Sequence, residues 1–554
     1  MEINKRTILW IVFSVSLVLL WNEWMVSNGK QSLFSTRPPA ATAPASAAKA
    51  PGSDLPTATA PGAALPGAPA AAPAPARSEI VNITTDVMNV QIDTAGGVIK
   101  RLELLKFKDG VHPDRNQVLF DVNPKGVYVA QTGLINAAGG AALPNHTTVF
   151  TAKPGPRALD GANAVQLVLE AVENGVKLTK TFTFKRNDYV IDLRHDVTNL
   201  GQAPVTPSLY LQLQHHGNKP EGDSYFNSSY TGPTLYTSTD HYQKLKFENI
   251  EKHGHEDHAT KSNDGWIAIS QHYFVSAFLP PQGAPREIFT KKVDTNLYAI
   301  GNILPLGTVA PGATKSLDVR LYSGPQDEKK LATIAPELDR VKDYGNLTII
   351  AKPIFWVMDQ LHSLIGNWGW TIIAFTILIK LLFFPLSAAG FKSMAKIKVI
   401  TPKMQAIRER YKDDPVKMNQ ATMELYKTEK INPLGGCLPI LVQMPVFIAL
   451  YWVLSASAEM RGAPWVGWIH DLTAPDPFFI LPILYAISMF VTTKLNPAPA
   501  DPVQAKMMLF MPLAFSVMFL FFPSGLVLYW VVNNILSIAQ QWVINKKLGV
   551  APSK

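Results

Sequence analysis

The chain has 554 residues, of which 47% are apolar and only 17% are charged, and its formal net charge at pH 7 is +9. A single cysteine, Cys437, excludes a disulfide framework and any cysteine-rich zinc or iron–sulfur site. Between Ser78 and Lys352 there are 28 Lys and Arg residues against 29 Asp and Glu residues, so the basic excess lies outside this stretch. Most of it lies beside apolar runs, and no DNA- or RNA-binding motif accompanies it. The composition favours a membrane protein with one large polar domain, without nucleic-acid sequence recognition.

The first predicted element is an apolar run over residues 7–26, after a basic segment at residues 1–6. About 20 residues are enough for a helix to cross a hydrocarbon core of ~30 Å. A cleaved signal peptide is the alternative, but it would have a shorter apolar region and a small-residue cleavage site, which the next residues do not offer. We predict an uncleaved transmembrane anchor with a cytoplasmic amino terminus.

Residues 27–77 form an Ala- and Pro-rich linker that cannot build an apolar core, so we predict a disordered tether. Residues 78–350 then show the period-two alternation of half-buried strands, which is typical of an antiparallel β-sandwich. The alternating apolar positions include Val90, Ile92, Phe182, Phe184, Ile191, Leu193, Leu209, Leu211 and Leu213. A domain that follows such an anchor lies outside the cytoplasm, in the periplasm.

Three histidines in this domain, His253, His255 and His258, are spaced closely enough to suggest a metal site. The surrounding run is as polar as an ordinary exposed loop, and no helical HExxH pattern contains it. We favour the loop and predict no metal. The sequence also lacks a nucleophile elbow, a P-loop and a dinucleotide fingerprint, so nothing in it indicates an enzyme or a cofactor.

The remainder of the chain has the pattern of a membrane domain. An amphipathic stretch at residues 353–366 predicts a helix on the outer membrane surface. Transmembrane helices are predicted at 368–388, 436–457, 478–493, 507–522 and 525–544, which makes six with the anchor. The loop at 458–477 has one basic residue against three acidic ones, and the tail at 545–554 is basic, so both termini are placed in the cytoplasm. The spans at 478–493 and 507–522 are short, which indicates local bilayer thinning.

The cytoplasmic segment at 389–431 contains ten Lys and Arg residues against five acidic ones and shows helical spacing on both sides of Asp414-Pro415. We predict a basic helical hairpin. Two interpretations remain open: a solvated pair attracted to anionic phospholipids, or a docking surface for a nascent chain or a ribosome. The basic residues concerned are Lys396, Lys398, Lys403, Arg408 and Arg410.

Lys380 is the most informative single residue, because it lies within the apolar span at 368–388. A lysine near a helix centre costs about 2.5–3.5 kcal/mol on insertion scales and should face protein or water. The alternative is that its side chain reaches the inner membrane surface, about 9 Å away. Thr376 lies one turn earlier on the same face. Further polar residues in the spans act either as interhelical hydrogen-bonding groups or as the lining of a hydrated groove; they are Gln443, Ser516, Asn533, Asn534 and Gln540.

Several motifs of the membrane domain resemble the YidC family of bacterial membrane protein insertases, within the YidC/Oxa/Alb superfamily. The matching stretches are Gly366-Asn-Trp-Gly-Trp370, Ser393-Met-Ala-Lys396, Asn432-Pro-Leu-Gly-Gly-Cys-Leu-Pro439, Gln443-Met-Pro445, Trp468-Ile-His-Asp-Leu472 and Phe522-Pro-Ser-Gly-Leu526. Their order and spacing fit over about 200 residues, and the anchor, tether and β domain match the longer Gram-negative form. For that form the resemblance implies a periplasmic β-supersandwich.

The resemblance also implies a function: an insertase and chaperone that inserts and helps to fold inner-membrane proteins, alone or with the Sec translocon, with the ribosome as a cytoplasmic partner. It implies five core helices around a hydrophilic groove that bears a basic residue, at the position of Lys380. Gram-negative members usually have Arg there, and Lys lacks its planar bidentate fork. The other implied groove positions are Thr376, Gln443, Ser516 and Asn533, and the implied substrate slide contains Tyr529, Trp530 and Met444.

Two other functions remain as alternatives. A channel or secondary transporter could use Lys380 to bind a small anion, but such proteins usually contain internal repeats with paired broken helices, and none is evident. An enzyme could use the β domain on a glycan or bind zinc through the histidine cluster. That hypothesis requires activity of the β domain alone, whereas an insertase requires the hairpin and the groove.

Overall fold

The structure is a computed structural model that describes residues 55–56, 78–136, 140–220, 230–412, 414–429, 438–496, 506–507, 510, 514 and 516–549. The chain divides into two compact units, Met1–Gly52 and Ser53–Lys554, and the description below concerns the second. The predicted anchor at 7–26 lies outside the described residues. So do nearly all of the predicted linker at 27–77, part of the predicted span at 507–522 and the last residues of the tail.

Two antiparallel sheets form the amino-terminal half of this unit, which confirms the predicted β-sandwich. The first sheet has the spatial order β1 (Ile80–Thr84), β2 (Met88–Asp93), β3 (Val98–Lys108), β6 (Gly126–Asn136), β11 (Pro207–His216), β18 (Leu297–Pro305), β17 (Arg286–Asp294) and β14 (Lys261–Ser262), with β4 (Asn116–Val118) beside β3 and β5 (Asp121–Asn123) beside β6. The second sheet has the order β13 (His241–Lys244), β12 (Gly232–Thr237), β15 (Trp266–Ser270), β16 (Phe274–Leu279), β19 (Thr314–Pro325), β10 (Val190–Asn199), β9 (Val176–Lys185), β8 (Ala164–Glu173) and β7 (Thr151–Ala152).

The main apolar core contains the inward residues of both sheets. In β9 the burial alternates strictly, with Leu178, Phe182 and Phe184 buried between polar neighbours that are half-buried or exposed, as expected for a strand with one face in a core. Strand β11 differs, because nine of its ten residues are buried on both faces. Its leucines face the core, and its outward side chains are covered as well.

Nine α-helices have bounds within the described residues. Two short ones belong to the β domain, α1 (Phe247–His253) and α2 (Glu328–Ile334). The others form the carboxyl-terminal half: α3 (Thr348–Ile365), α4 (Trp368–Leu382), α5 (Phe384–Arg410), α6 (Pro415–Thr428), α7 (Leu438–Ala456), α8 (Ile480–Leu495) and α9 (Ser524–Lys547). This half has an apolar core of its own, to which α3, α4, α7, α8 and α9 contribute.

Two helix ends differ from the sequence-based expectation. Helix α3 begins at Thr348, so Pro353 lies inside it rather than near its start. Helix α4 ends at Leu382, where a span to residue 388 was predicted, and the axis bends by 68° between α4 and α5. Pro385 explains this break: it sits in the first turn of α5, where its missing N–H is harmless, but inside a continuous helix its ring would clash with the preceding turn.

The described helices support fewer membrane crossings than the sequence predicts. By length and composition, α9 alone could cross a bilayer, and α4 with α5 could form one bent span. Residues Gln443–Ala456 and helix α8 are apolar but shorter. The expected count of six spans is therefore not established by the described part of the chain.

Helices α5 and α6 follow one another and pack together at the position of the predicted hairpin. The carboxylate of Asp414 accepts a hydrogen bond from the backbone N–H of Lys417 at 3.1 Å and thereby caps the start of α6. Lys403 Nζ lies 2.6 Å from Glu429 Oε1, and the Tyr426 hydroxyl lies 3.6 Å from Met404 Sδ. These two contacts hold the last turn of α6 against α5.

Candidate functional site

Lys380 lies in the last turn of α4 and is only 9% exposed. Its Nζ donates a hydrogen bond of 2.7 Å to Ser537 Oγ on α9. No ion pair of Lys380 occurs among the described residues. An ammonium group in this setting keeps donor capacity for an anionic or polar ligand, because it offers three protons.

A stripe of polar residues runs along α9 beside this lysine. Ser537 Oγ donates in turn to the backbone carbonyl of Asn533 at 2.7 Å, one turn earlier. Asn534 Nδ2 donates to Ser488 Oγ on α8 at 3.1 Å, and Gln541 Nε2 donates to Asn496 Oδ1 at 3.0 Å. The polar stripe on α9 therefore connects α9 to Lys380 of α4 and to helix α8.

The remaining predicted groove residues occupy different surroundings. Thr376 is 1% exposed, and its hydroxyl donates to the carbonyl of Ile372 at 2.6 Å, within its own helix. Gln443 is half-buried in α7, and Ser516 is buried. Of the other four predicted positions, only Asn533 is linked to Lys380 by the hydrogen bonds described above, and only through its backbone carbonyl and Ser537.

Local sequence explains why α4 lies against α9. Asn367 caps α4 by accepting a hydrogen bond from the N–H of Trp370 at 3.2 Å. Gly525, near the start of α9, allows a close approach: a Cβ there would lie 3.1 Å from the carbonyl oxygen of Leu472 and 3.2 Å from Ile372 Cδ1. The tight contact at one end positions Lys380 against Ser537 three turns further along α9.

The predicted slide residues form an aromatic group on α9. Tyr529 is buried, and its ring lies edge-on to the half-buried ring of Trp530 with centroids 6.1 Å apart. Trp530 also contacts Phe447 of α7 at a centroid distance of 4.5 Å. Met444 is 45% exposed. The structure thus places an aromatic seam between α7 and α9 with an exposed methionine on α7.

The basic hairpin residues lie along α5. Lys396, Lys403 and Arg410 are exposed, whereas Lys398 and Arg408 are half-buried. Lys403 forms the ion pair with Glu429 described above, and the guanidinium of Arg410 lies 5.7 Å from the centre of the Tyr411 ring. Lys396 and Arg410 are therefore the exposed basic residues of this set outside the ion pair with Glu429.

The histidine run has ordinary local partners. His258 contacts the carbonyl of Ala259 at 2.8 Å and Thr290 Oγ1 at 3.2 Å through its two ring nitrogens, and burial lowers its pKa. His253 ends helix α1. Among the described residues, no group of three His, Cys, Asp or Glu side chains is arranged to hold a metal ion.

Sequence reasoning missed Ser537, although a signal for it exists. Asn533, Ser537 and Gln541 are spaced by four residues, so they share one face of α9. That spacing, in a helix otherwise rich in Val, Leu and Ile, marks a polar stripe. Ser488 of α8 was missed because a single serine in an apolar helix carries no periodic signal.

Comparison with known proteins gives a consistent result over almost the whole chain. Residues 80–357 match the family model "YidC periplasmic domain" and residues 360–550 match "60Kd inner membrane protein". The membrane protein insertase YidC of Herminiimonas arsenicoxydans is 59% identical and covers 98% of both chains. That of Janthinobacterium sp. (strain Marseille) is 58% identical and covers 99% of both.

A solved structure described as an active YidC insertase crystal structure with the first transmembrane domain resolved is also similar, at 18% identity and a TM-score of 0.40. It covers 84% of this chain and 92% of its own. These matches identify a non-enzymatic inner-membrane protein with a periplasmic domain. The chain belongs to the YidC family of membrane protein insertases.

Proposed function

We propose that this insertase works through a hydrophilic groove between α4 and α9, in which Lys380 attracts the polar or acidic part of a nascent chain. The supporting observation is the buried Lys380 ammonium, which is hydrogen-bonded to the Ser537 hydroxyl and has no carboxylate partner in the described part of the chain. A buried cation without a counter-ion is unfavourable unless water or a ligand reaches it. The burial of Lys380 and the lack of a carboxylate partner among the described residues both suit a site that receives a negatively charged group.

The proposed transfer needs no bond chemistry. A polar tail that enters a hydrated groove avoids most of the desolvation free energy of crossing bare hydrocarbon. Lys380 supplies a counter-charge for acidic residues, and short helices such as α8, with 16 residues or about 24 Å, reduce the thickness to be crossed. Partition of the apolar segment of the substrate into lipid provides the driving force.

The remaining predicted residues take supporting roles in this proposal. Thr376, Gln443, Ser516 and Asn533 contribute polar groups to the groove, while Tyr529, Trp530 and Met444 guide the apolar segment of the substrate along α7 and α9. The basic hairpin docks the nascent chain or the ribosome and contacts anionic phospholipids. We further propose six spans, both termini in the cytoplasm, cooperation with the Sec translocon and a chaperone role for inserted helices.

Insertion into proteoliposomes that contain only this protein tests the groove. The substrate is a single-span protein with an acidic periplasmic tail, and insertion is measured as protease protection of that tail. We expect Lys380→Glu to abolish insertion because it repels the tail, Lys380→Ala to reduce it, and Lys380→Arg to retain it. A basic tail should restore insertion by Lys380→Glu.

Lys494→Glu is the matched control, since it reverses the charge of an exposed lysine near the end of α8. Normal insertion by this control together with loss in Lys380→Glu supports the proposal. If Lys380→Glu and Lys380→Ala insert the acidic tail as well as the native chain does, the groove charge is dispensable and the proposal fails.

A further inference from the structure

The outward face of the first sheet, which points away from the second sheet, is buried rather than exposed to solvent. The outer face of an antiparallel sheet usually contacts water and carries polar residues. Here Tyr210, Gln212 and Gln214, the outward residues in the middle of β11, are each at most 4% exposed. A buried surface of this kind requires something to lie on it.

Part of that cover comes from the tether. Ile135, Tyr210 and Ile303 form a small apolar cluster separate from the main core, and Leu55 and Phe289 pack against it. The strand register places Tyr210 opposite Ile303 on one side and Gly133 on the other, so all belong to the same outward face. Leu55 lies more than twenty residues before the first strand, in the Ala- and Pro-rich linker.

Two glycines leave room for aromatic rings to lie flat on this face, and the shallow site formed there by Gly133, Tyr210, Phe289 and Gly301 is called the seat below. A Cβ at Gly133 would lie 2.6 Å from the hydroxyl oxygen of Tyr210, and a Cβ at Gly301 would lie 2.2 Å from Cζ of Phe289. The aromatic rings can therefore lie across the strands rather than stand on them. The hydroxyl of Tyr210 also accepts a hydrogen bond of 3.0 Å from the backbone N–H of His146, which fixes the ring.

Polar groups complete the contact with the tether backbone. Lys291 Nζ donates a hydrogen bond of 2.9 Å to the carbonyl oxygen of Leu55, and Pro56 is buried. Lys291 lies on the same face as Phe289, two residues further along β17. A seat with aromatic rings, a buried proline and a donor for a main-chain carbonyl is the chemistry that binds extended, proline-containing peptides.

We propose that the outward face of the first sheet is a peptide-docking site and that its resident ligand is the Leu55-Pro56 pair of the same chain. Docking there attaches the tether to the β domain at Leu55, 23 residues before the predicted start of that domain at residue 78. The site selects an apolar residue followed by proline. Specificity comes from the Leu55 side chain, the Pro56 ring and the Lys291 hydrogen bond.

The linker itself contains a matched control, because Leu65-Pro66 repeats the same dipeptide ten residues later. We would replace Phe289 with the photo-reactive residue p-benzoylphenylalanine in the full-length chain in nanodiscs. Cross-linked peptides would then be identified by mass spectrometry. We expect an intramolecular cross-link to the segment that contains Leu55.

Leu55→Ser combined with Pro56→Ser should lower the yield of this cross-link about tenfold, since the half-buried Leu55 and the buried Pro56 together lose apolar burial that corresponds to about that factor in population. Leu65→Ser combined with Pro66→Ser should leave it unchanged. A fluorescent peptide with the sequence of residues 50–60 should bind the Leu55→Ser, Pro56→Ser chain more tightly than the native chain, whose seat is occupied.

Three outcomes would overturn the proposal. The first is an equal loss of the cross-link in both double variants, which would mean that the contact is not specific for Leu55-Pro56. The second is a cross-link that joins two copies of the chain. The third is equal binding of the added peptide to the native and variant chains. None of these measurements depends on insertion activity, so they test the docking site separately from the groove.

Discussion

At the scale of single residues, the β domain contains an unusual buried cation. Lys180 lies in β9 between the sheets, and its Nζ donates to the carbonyl oxygens of Gly96 and Thr132 at 2.7 and 2.6 Å. Its cross-strand neighbour His195 contacts Thr132 Oγ1 at 3.0 Å. Burial lowers the pKa of Lys180 to about 7 and that of His195 to about 3. The sandwich thus encloses two groups that prefer to be neutral.

The pH dependence of stability follows from these shifts. Between pH 7 and 10.5 the unfolded chain binds a proton at Lys180 that the folded chain has lost, so stability rises with pH across this window. We expect the apparent Tm of the β-domain transition to rise between these pH values in the native chain and to rise less in Lys180→Met. The measurement is thermal unfolding of the full chain in detergent, followed by intrinsic fluorescence.

Lys177→Met serves as the control, because Lys177 lies on the opposite face of the same strand. Parallel Tm profiles for the native chain and Lys180→Met would contradict the prediction. His195 adds a second window: stability should fall as the pH decreases below about 6.5 towards 3, because the unfolded histidine becomes protonated first.

Sequence could predict the burial of Lys180 but not its partners. The lysine occupies an inward position in the alternation of β9, between Leu178 and Phe182. Its acceptors are Gly96, 84 residues away in a turn, and Thr132, 48 residues away in the other sheet. Alternation reports the face on which a residue lies, whereas the partner across a sandwich depends on the stacking of two sheets, which no local pattern encodes.

At the scale of elements, the presence of a helix was easier to predict than the residue at which it ends or the segments that cover a sheet. The apolar runs that became α7, α8 and α9 were evident, because an apolar stretch of that length is a strong signal. The end of α4 at Leu382 was missed, although Pro385 was present, because the apolar composition continues past it. The cover on β11 was missed as well, since Tyr210 and Gln212 read as solvent-facing positions in an alternating strand.

Gly301 provides a test of the covered face at this scale. Gly301→Ala places a Cβ 2.2 Å from Phe289 and 2.8 Å from the carbonyl oxygen of Leu211, so one of them must move. We expect a loss of stability of about 1–3 kcal/mol, as for overpacking of a core, visible as a lower apparent Tm. Gly155→Ala, which meets nothing within 4 Å, should leave the Tm within experimental error. A tolerated Gly301→Ala would show that the ring of Phe289 is not held across the strand.

At the scale of the whole molecule, the β domain is fastened to the membrane half. Lys342 Nζ lies 2.9 Å from both carboxylate oxygens of Glu459, and its side chain is completely buried over the ring of Phe355. Arg461 donates to the carbonyl of Lys108 at 2.7 Å and to Gln117 Oε1 at 2.8 Å. The segment around Glu459 and Arg461 is the one that sequence placed in a periplasmic loop.

A double-mutant cycle on Lys342 and Glu459 tests this junction. Lys342→Met or Glu459→Gln alone leaves a buried charge unpaired at a cost of about 2 kcal/mol, whereas the double variant removes both charges. We expect hydrogen exchange of residues 338–345 and 458–461 to accelerate about tenfold or more in either single variant and less in the double variant. Lys185→Met, which breaks a largely exposed pair with Asp192, should not change exchange there. Additive effects of the two changes would refute the coupling.

The bend after Leu382 has a consequence for the charge of Lys380. Because α4 stops there, Lys380 lies in its last turn, where the backbone N–H of Phe383 closes the helix on the carbonyls of Ile379 and Leu381. The aligned peptide dipoles leave about half a negative elementary charge at this end, which partly compensates the ammonium group. If α4 continued straight through residue 388, its negative end would lie farther from Lys380 and would compensate the ammonium charge less. Under the proposed groove mechanism, a substrate carboxylate would therefore replace the Ser537 hydroxyl at Lys380 and would not have to break a salt bridge among the described residues.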